Sequence, residues 1–230
     1  MRPKSIAIIQ PYFFPYMGYF SLFDRADEVV FLDCVQFPRR GRVHRCETPS
    51  VEGAGWLTLP VAKAERSIKI RSLQFADNAN QEWSKRLARQ PWHDTIAHST
   101  AMNLVDLLCI STTSVTDYLC RQIDRICDYL GVQRAHVRSS QLDIDPTLRA
   151  QDRIIAIAKS RGASHYINPP GGHALYYQDR FSQNGMNLSF LPPYDGPFRF
   201  LLPALATSDR TALRNDLARQ RTRPLVSPKR

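Results

Sequence analysis

Short apolar runs closed by turn residues alternate along this chain with stretches of helical period. Ile6-Ala7-Ile8-Ile9 is a buried strand cut off at Gln10-Pro11. Prolines, a glycine and aromatic residues shape the loop that follows, and from Phe20 the spacing of Leu22 and Phe23 turns helical up to Ala26. Val29-Val30-Phe31-Leu32 is the next strand, ending in Asp33. This is a βαβ opening, and sheets of that kind bind ligands beyond the carboxyl ends of their strands. The loop from Gln10 to Gly18 and the segment after Asp33 therefore share one edge, where the amides of the following helix favour an anion. Tyr12, Phe13, Phe14 and Tyr16 have two readings: a ligand-contacting loop, or a satellite core over a sheet edge.

Further along, Trp56-Leu57-Thr58-Leu59 reads as a strand stopped by Pro60, and Ile68 to Leu73 as a short strand or edge whose companion is the Arg42 to Cys46 run. Asn80 to Arg89 is helical, with Trp83 and Leu87 on one face. Val115, Leu119, Ile123, Ile126 and Leu130 form a helical stripe that starts behind Thr112-Thr113-Ser114 and stops at Gly131. Ala135 to Arg138 is a strand delivering Ser139 and Ser140 to a loop, where they act as turn formers or as substrate contacts. A helix from about Pro146 to Ser160 carries Ile154, Ile155 and Ile157. The strand at Tyr166-Ile167-Asn168 ends in Pro169-Pro170-Gly171-Gly172 and opens a helix, a second loop whose glycines let a ligand approach. Leu188 to Leu191 is the last strand. The pattern predicts an α/β fold: a largely parallel sheet with flanking helices and a small β-hairpin insertion, in one domain over residues 1–205 with a basic helix and tail over 206–230.

Composition narrows the classes. With 230 residues the chain is long enough for one sizeable core, and no apolar run nears the roughly 18–20 residues that cross a bilayer. The run after Met1-Arg2-Pro3-Lys4 is too short for a secretory leader, so a cytoplasmic location is expected. The cysteines (Cys34, Cys46, Cys109, Cys120, Cys127) are odd in number and show no CxxC spacing, and His93 and His98 are five apart. Neither pattern suits a metal, and no metal or cofactor is expected. Cys34, at a strand's carboxyl end, is a candidate nucleophile if His44 meets it. The net charge of +10 calls for an anionic partner. Part of it lies between Arg210 and Arg230, which reads as a solvated tail. The cluster Arg39-Arg40-Gly41-Arg42, with His44 and Arg45, follows the second strand and suits a phosphate.

Several motifs carry a family likeness. Gln10-Pro11-x-x-x-Pro15-x-x-Gly18-Tyr19-Phe20, then Phe31-Leu32-Asp33-x-Val35-Gln36-Phe37-x-x-Arg40-Gly41, resembles the WbqC-like family of bacterial proteins. The likeness continues through Trp56 to Val61, Ser139-Ser140, Asp152-Arg153-Ile154-Ile155, Tyr166-Ile167-Asn168-Pro169-x-Gly171-Gly172 and Leu175-Tyr176. Cys34 stands where that family commonly has a second acid, and His44-Arg45-Cys46 where it tends to have Asn-Arg-Asn. The opening also looks like a worn version of nucleotidyltransferase-like α/β enzymes such as pantothenate synthetases, with Tyr16 and Tyr19 in place of the ATP-binding histidines.

The first resemblance implies a polysaccharide-biosynthesis transferase that moves an acyl or aminoacyl group, such as glycyl, onto an amine of a nucleotide-linked sugar or similar small acceptor. In that reading Gln10, Tyr19, Asp33 and Gln36 orient the reacting groups, Asp33 or His44 takes the amine proton, and Arg40 and Arg45 hold phosphate. Ser139 and Ser140 contact substrate, and Asn168, Gly171 and Gly172 form the opposite wall. Two alternatives stay open: an ATP-dependent ligase or nucleotidyltransferase with a degenerate ATP motif, and a non-catalytic nucleic-acid-binding protein whose affinity falls with salt.

Overall fold

The computed structural model describes residues 3–50, 53–97, 102–132 and 135–228. In chain order the strands are β1 (Ser5–Ile9), β2 (Glu28–Phe31), β3 (Arg45–Ser50), β4 (Gly53–Thr58), β5 (Ala135–Arg138), β6 (His165–Asn168) and β7 (Asn187–Phe190). The helices are α1 (Met17–Arg25), α2 (Ala79–Ala88), α3 (His93–Ala97), α4 (Leu104–Leu108), α5 (Val115–Leu130), α6 (Ala150–Ser160), α7 (Gln178–Ser182), α8 (Leu201–Thr207) and α9 (Arg210–Thr222). Five strands form one parallel sheet in the order β5-β2-β1-β6-β7, and β3 and β4 form a separate antiparallel hairpin. From β1 the chain moves outward to β2 and β5, then returns to β6 on the other side of β1. The direction of winding therefore reverses between β1 and β6, where open α/β sheets form ligand crevices.

The apolar run of β1 is continuous because both faces are covered. Ala7, Ile9, Val29 and Phe31 pack with α1, α5, α8 and α9, while Ile6, Ile8 and Val30 pack with α6 and α7. Each fully buried large side chain contributes about 1.5–3 kcal/mol, and Ile6, Phe20, Phe31 and Ile123 are all wholly enclosed. Helix α5 is closed locally: the Ser114 hydroxyl accepts from the Asp117 amide, Gly131 takes φ 74°, and the Val132 amide reaches back to the Cys127 carbonyl at 3.0 Å.

Four sequence expectations change. The Ile68 to Leu73 run is not a strand; it is an extended segment with a single helical turn at Ile70–Ser72, held by single bonds to the chain after β2. The Phe37 amide donates to the Ile68 carbonyl, and the Ile70 and Arg71 amides donate to the carbonyls of Val35 and Asp33. Its supposed companion, the Arg42 to Cys46 run, instead leads into β3 and pairs with β4. Helix α6 begins at Ala150 and not near Pro146, because Asp145 to Leu148 is taken up in a turn in which Asp145 caps Thr147. The basic end is folded over Arg210–Thr222, with Leu213 and Leu217 buried, and Val226 pairs with Phe190. Its arginines sit on the outer face of an amphipathic helix, which a count of charge does not show.

The aromatic loop is largely core. Phe13 and Phe14 are buried, with Phe13 against Trp83 and Tyr118. Phe14 has φ 37°, a region that L residues seldom occupy. It is held there by its amide, which donates to the Oε1 of buried Gln122 at 2.9 Å. Gln122→Leu leaves that amide without a partner. We expect the urea midpoint to fall by an amount equivalent to about 1–3 kcal/mol with an unchanged slope; an unchanged midpoint would show that the loop is not fixed by this bond.

Candidate active site

Beyond the carboxyl end of β2 the chain is organised by Asp33, which is 0% exposed. Its Oδ1 accepts from the Ser139 hydroxyl at 3.0 Å and the Ser140 amide at 2.8 Å, and its Oδ2 from the Ser140 hydroxyl at 2.6 Å. The Ser139 Oγ in turn accepts from the amides of Asp33 and Cys34 at 3.1 and 3.2 Å. Asp33, Ser139 and Ser140 are thus brought together from the ends of β2 and β5, but their polar atoms face one another. The loop they hold leads directly into a cavity.

That cavity has a volume of about 450 Å³. Leu32, Cys34, Val35 and Gln36 form one side, and the start of α6 from Arg149 to Ile154 forms the other. Ser67 and Lys69, and Leu175 and Tyr176 from the chain after β6, complete the lining. The charged side chains lining it are Lys69, Arg149 and Arg153, and among the described residues no carboxylate lines it. Arg153 spans the gap: its Nη1 donates to the Cys34 carbonyl at 3.4 Å and lies 3.6 Å from Cys34 Sγ, while Nη2 donates to the Pro146 carbonyl at 3.0 Å. Its Nε is buried without a partner. Ala150, the first residue of α6, has φ 45°, a strained value for a residue with a Cβ and one that sits on the cavity wall. Tyr176 enters from the β6 side, and burial holds its hydroxyl above the usual tyrosine range.

A second, more open cavity of about 520 Å³ lies between α5 and β5, and unlike the first it is lined by carboxylates, Asp117 and Asp124, as well as by arginines. Arg138 meets Asp117 at 2.6 Å, and His136 lies 3.5 Å from Asp124. The cavity beside Cys34 is lined by cations with no carboxylate among the described residues.

The other predicted residues are distributed as follows. Gln36 lines the cavity and donates to the Arg66 carbonyl. The Tyr19 hydroxyl is buried and donates to the Gln10 carbonyl at 2.9 Å, tying α1 to the end of β1. Arg40, His44 and Arg45 lie on the chain entering the hairpin and do not line the cavity. Arg45 stacks over Trp56, 4.1 Å from the ring centre, and donates to the carbonyls of Arg40 and Gly41. His44 packs edge-on against Phe37 and is not the partner of Cys34. Burial, and then the neighbouring charges of Arg45, Arg39 and Arg86, push its imidazole down to about 4. Among the described residues no cluster suits a metal, and His98 lies outside them.

On the β6 side, Asn168 is buried and its Oδ1 accepts from the Tyr166 hydroxyl at 2.9 Å. Pro170–Gly172 make one tight turn instead of opening a longer helix, since Asn168 occupies the space beside it. A Cβ on Gly172 would come within 1.6 Å of Asn168 Nδ2, whereas one on Gly171 would meet nothing. The residues missed by sequence reasoning are Lys69, Arg149 and Gln151, which sit in segments with no motif of their own. Arg153 and Tyr176 fell within the quoted motifs, and the structure separates the Asp152-Arg153 pair: Asp152 bonds Arg180 at 2.6 Å, leaving Arg153 to the cavity.

The WbqC-like protein family model matches residues 10–199, a span that includes every cavity residue named above. Uncharacterized protein Rv1507c of Mycobacterium tuberculosis is 24% identical over 199 residues, covering 84% of each chain. No solved structure matches the chain.

Two measurements follow from this geometry. Gly172→Ala should lower stability by about 1–3 kcal/mol through overpacking, while Gly171→Ala leaves the melting temperature unchanged; equal effects would mean that Asn168 does not dictate the glycine. For His44, the folded protein binds the proton less readily than the unfolded chain. Its contribution is therefore constant above pH 6.5 and is lost as pH falls towards 4. His44→Gln should flatten part of the fall in denaturant midpoint over that window, and an identical pH profile would refute this.

Proposed function

This chain belongs to the WbqC-like protein family, and we propose that its cleft is the site of a transferase that moves an acyl or aminoacyl group, such as glycyl, onto an amine of an anionic small acceptor of the nucleotide-sugar type. The observation that supports this most directly is the cavity's charge: Lys69, Arg149 and Arg153 line it with no lining carboxylate among the described residues. A volume of about 450 Å³ suits a small molecule and is far too small for a macromolecule. Leu32, Val35 and Ile154 give the cavity apolar walls, whose low dielectric strengthens charge recognition beside them.

In this reading the cations hold phosphate or pyrophosphate, and Gln36, Gln151 and Tyr176 fix the rest of the substrate by hydrogen bonds. Acyl transfer to an amine needs the two reactants held together, and positioning supplies much of the rate. Asp33 takes the role of a positioning residue, because its oxygens are engaged by Ser139 and Ser140 and reach no cavity. Arg40 and Arg45, first assigned to phosphate, are replaced by Arg149, Arg153 and Lys69.

A ligase using ATP is a second reading, since the same cations suit a triphosphate. Thermal unfolding against nucleotide-sugars, acyl thioesters and ATP separates the two. A nucleotide-sugar at a hundred times its dissociation constant should stabilise the fold by about 2.7 kcal/mol. Arg149→Ala should remove that gain, and Arg40→Ala should keep it. A shift with ATP alone transfers the site to the ligase reading; no shift with any of these anions, together with salt-sensitive RNA binding, removes the enzyme.

A further inference from the structure

The five thiols of this chain occupy different environments. Cys46, Cys120 and Cys127 are buried in the core, and burial holds all three thiols well above the ordinary range, Cys120 at about 12. They are sealed off as nucleophiles at neutral pH. Cys109 is exposed at the end of α4, against no cavity. Cys34 alone lines the cationic cavity, with a guanidinium nitrogen 3.6 Å from its sulfur. Its backbone is fixed from below, since its amide donates to Ser139 Oγ, which also donates to Asp33.

We propose that Cys34 is a covalent way-station in this cleft: its sulfur takes the acyl group from an activated donor of the thioester class and passes it to the amine of the acceptor. The inference rests on the transferase reading and specifies its route. In the first step Cys34 Sγ bonds to the donor's carbonyl carbon, the bond from that carbon to the donor's sulfur breaks, and the thiol proton leaves with the departing thiol. In the second step the acceptor's amine nitrogen bonds to the same carbon, the bond to Cys34 Sγ breaks, and the amine proton returns to Cys34. No oxidant or reductant is required.

Two features of the cavity fit these steps. In each, a tetrahedral centre places negative charge on the carbonyl oxygen within reach of the Cys34 sulfur. Arg153 Nη1 is at that distance already, and preorganised donors of this kind carry large effects on rate. Lys69 and Arg149 line the same space as the sulfur, where they can hold an anionic acceptor. The cavity thus combines a nucleophile, an oxyanion donor and an anion clamp.

The test uses the full chain carrying Cys109→Ser, which removes the exposed thiol outside the cavity. The protein is mixed with phenyl thioacetate, and the adduct is followed by intact mass and peptide mapping. The expected result is one acetyl group on Cys34, absent in the further variant Cys34→Ser, slowed on the order of 100-fold by Arg153→Gln, and discharged to an amide when glucosamine 6-phosphate is added. Melting temperatures of both variants within those of the parent exclude unfolding as the cause. Acetylation that never reaches Cys34, or an adduct on Cys34 that the amine does not discharge, overturns the covalent route. If a nucleotide-sugar still stabilises the protein in that case, the transferase reading survives with direct transfer. If no anion stabilises it, both fall together.

Discussion

A carboxyl group buried where two parallel strands end is the constraint from which the rest of this cleft follows. Leaving Asp33 unpaired at zero exposure would cost several kcal/mol, and the chain meets that cost with the hydroxyls of Ser139 and Ser140 and an amide. Because those donors come from the end of β5, the bond set fixes the edge strand's exit relative to β2. Because Ser139 also accepts the Cys34 amide, the same set fixes the first turn beyond the sheet. The segment from Ile68 to Arg71 then lies along that turn and carries Lys69 to the cavity. A residue with no opening to the ligand space thereby positions two of the walls that form it.

The opposite end of the sheet is closed differently. Glu28, at the start of β2, is buried with Lys4 and Arg161, each at 2.7 Å. Burial alone would raise its carboxyl, but the hydrogen bonds from Arg161 and Lys4 prevail and hold it below the usual range. Charge at the amino end is therefore matched by charge, while the carboxyl end is held by neutral hydroxyls. At the carboxyl end the cavity's cations have no lining carboxylate among the described residues, and this is the end where parallel sheets accommodate ligands.

The βαβ opening, helix α5, strand β5 and the parallel sheet were legible because their apolar positions have periods that match strand and helix. Ser139, Ser140 and Asp33 were legible as neighbours of one edge, but not as partners of each other, since partnership depends on the register between β2 and β5. His44 looked like a base by residue type; burial against Phe37 among arginines holds its imidazole neutral and away from the cavity, a property of packing. The aromatic loop had two readings, a ligand-contacting surface or a satellite core, because large apolar side chains at a strand end are costly in water. Gln122 and Arg42 draw its backbone inward instead, and Phe13 and Phe14 become core. Arg149 and Lys69 had no local signal at all: each reaches the cavity through contacts of distant segments.

Net charge was the least informative of the sequence's features, and the structure shows why. Many of the arginines that produce it are engaged by the chain itself: Arg25 by carbonyls at the end of α9, Arg42 and Arg199 by Glu47, Arg210 by the Tyr129 carbonyl and Arg223 by the Pro193 carbonyl. A guanidinium that closes helix ends and hairpins stabilises the fold and offers little to a partner. The positive field inside the cleft is set by Lys69, Arg149 and Arg153, a small fraction of the total, and its apolar walls focus that field. The basic character of the chain and the charge of its cleft are thus separate facts, because much of the first is engaged inside the fold.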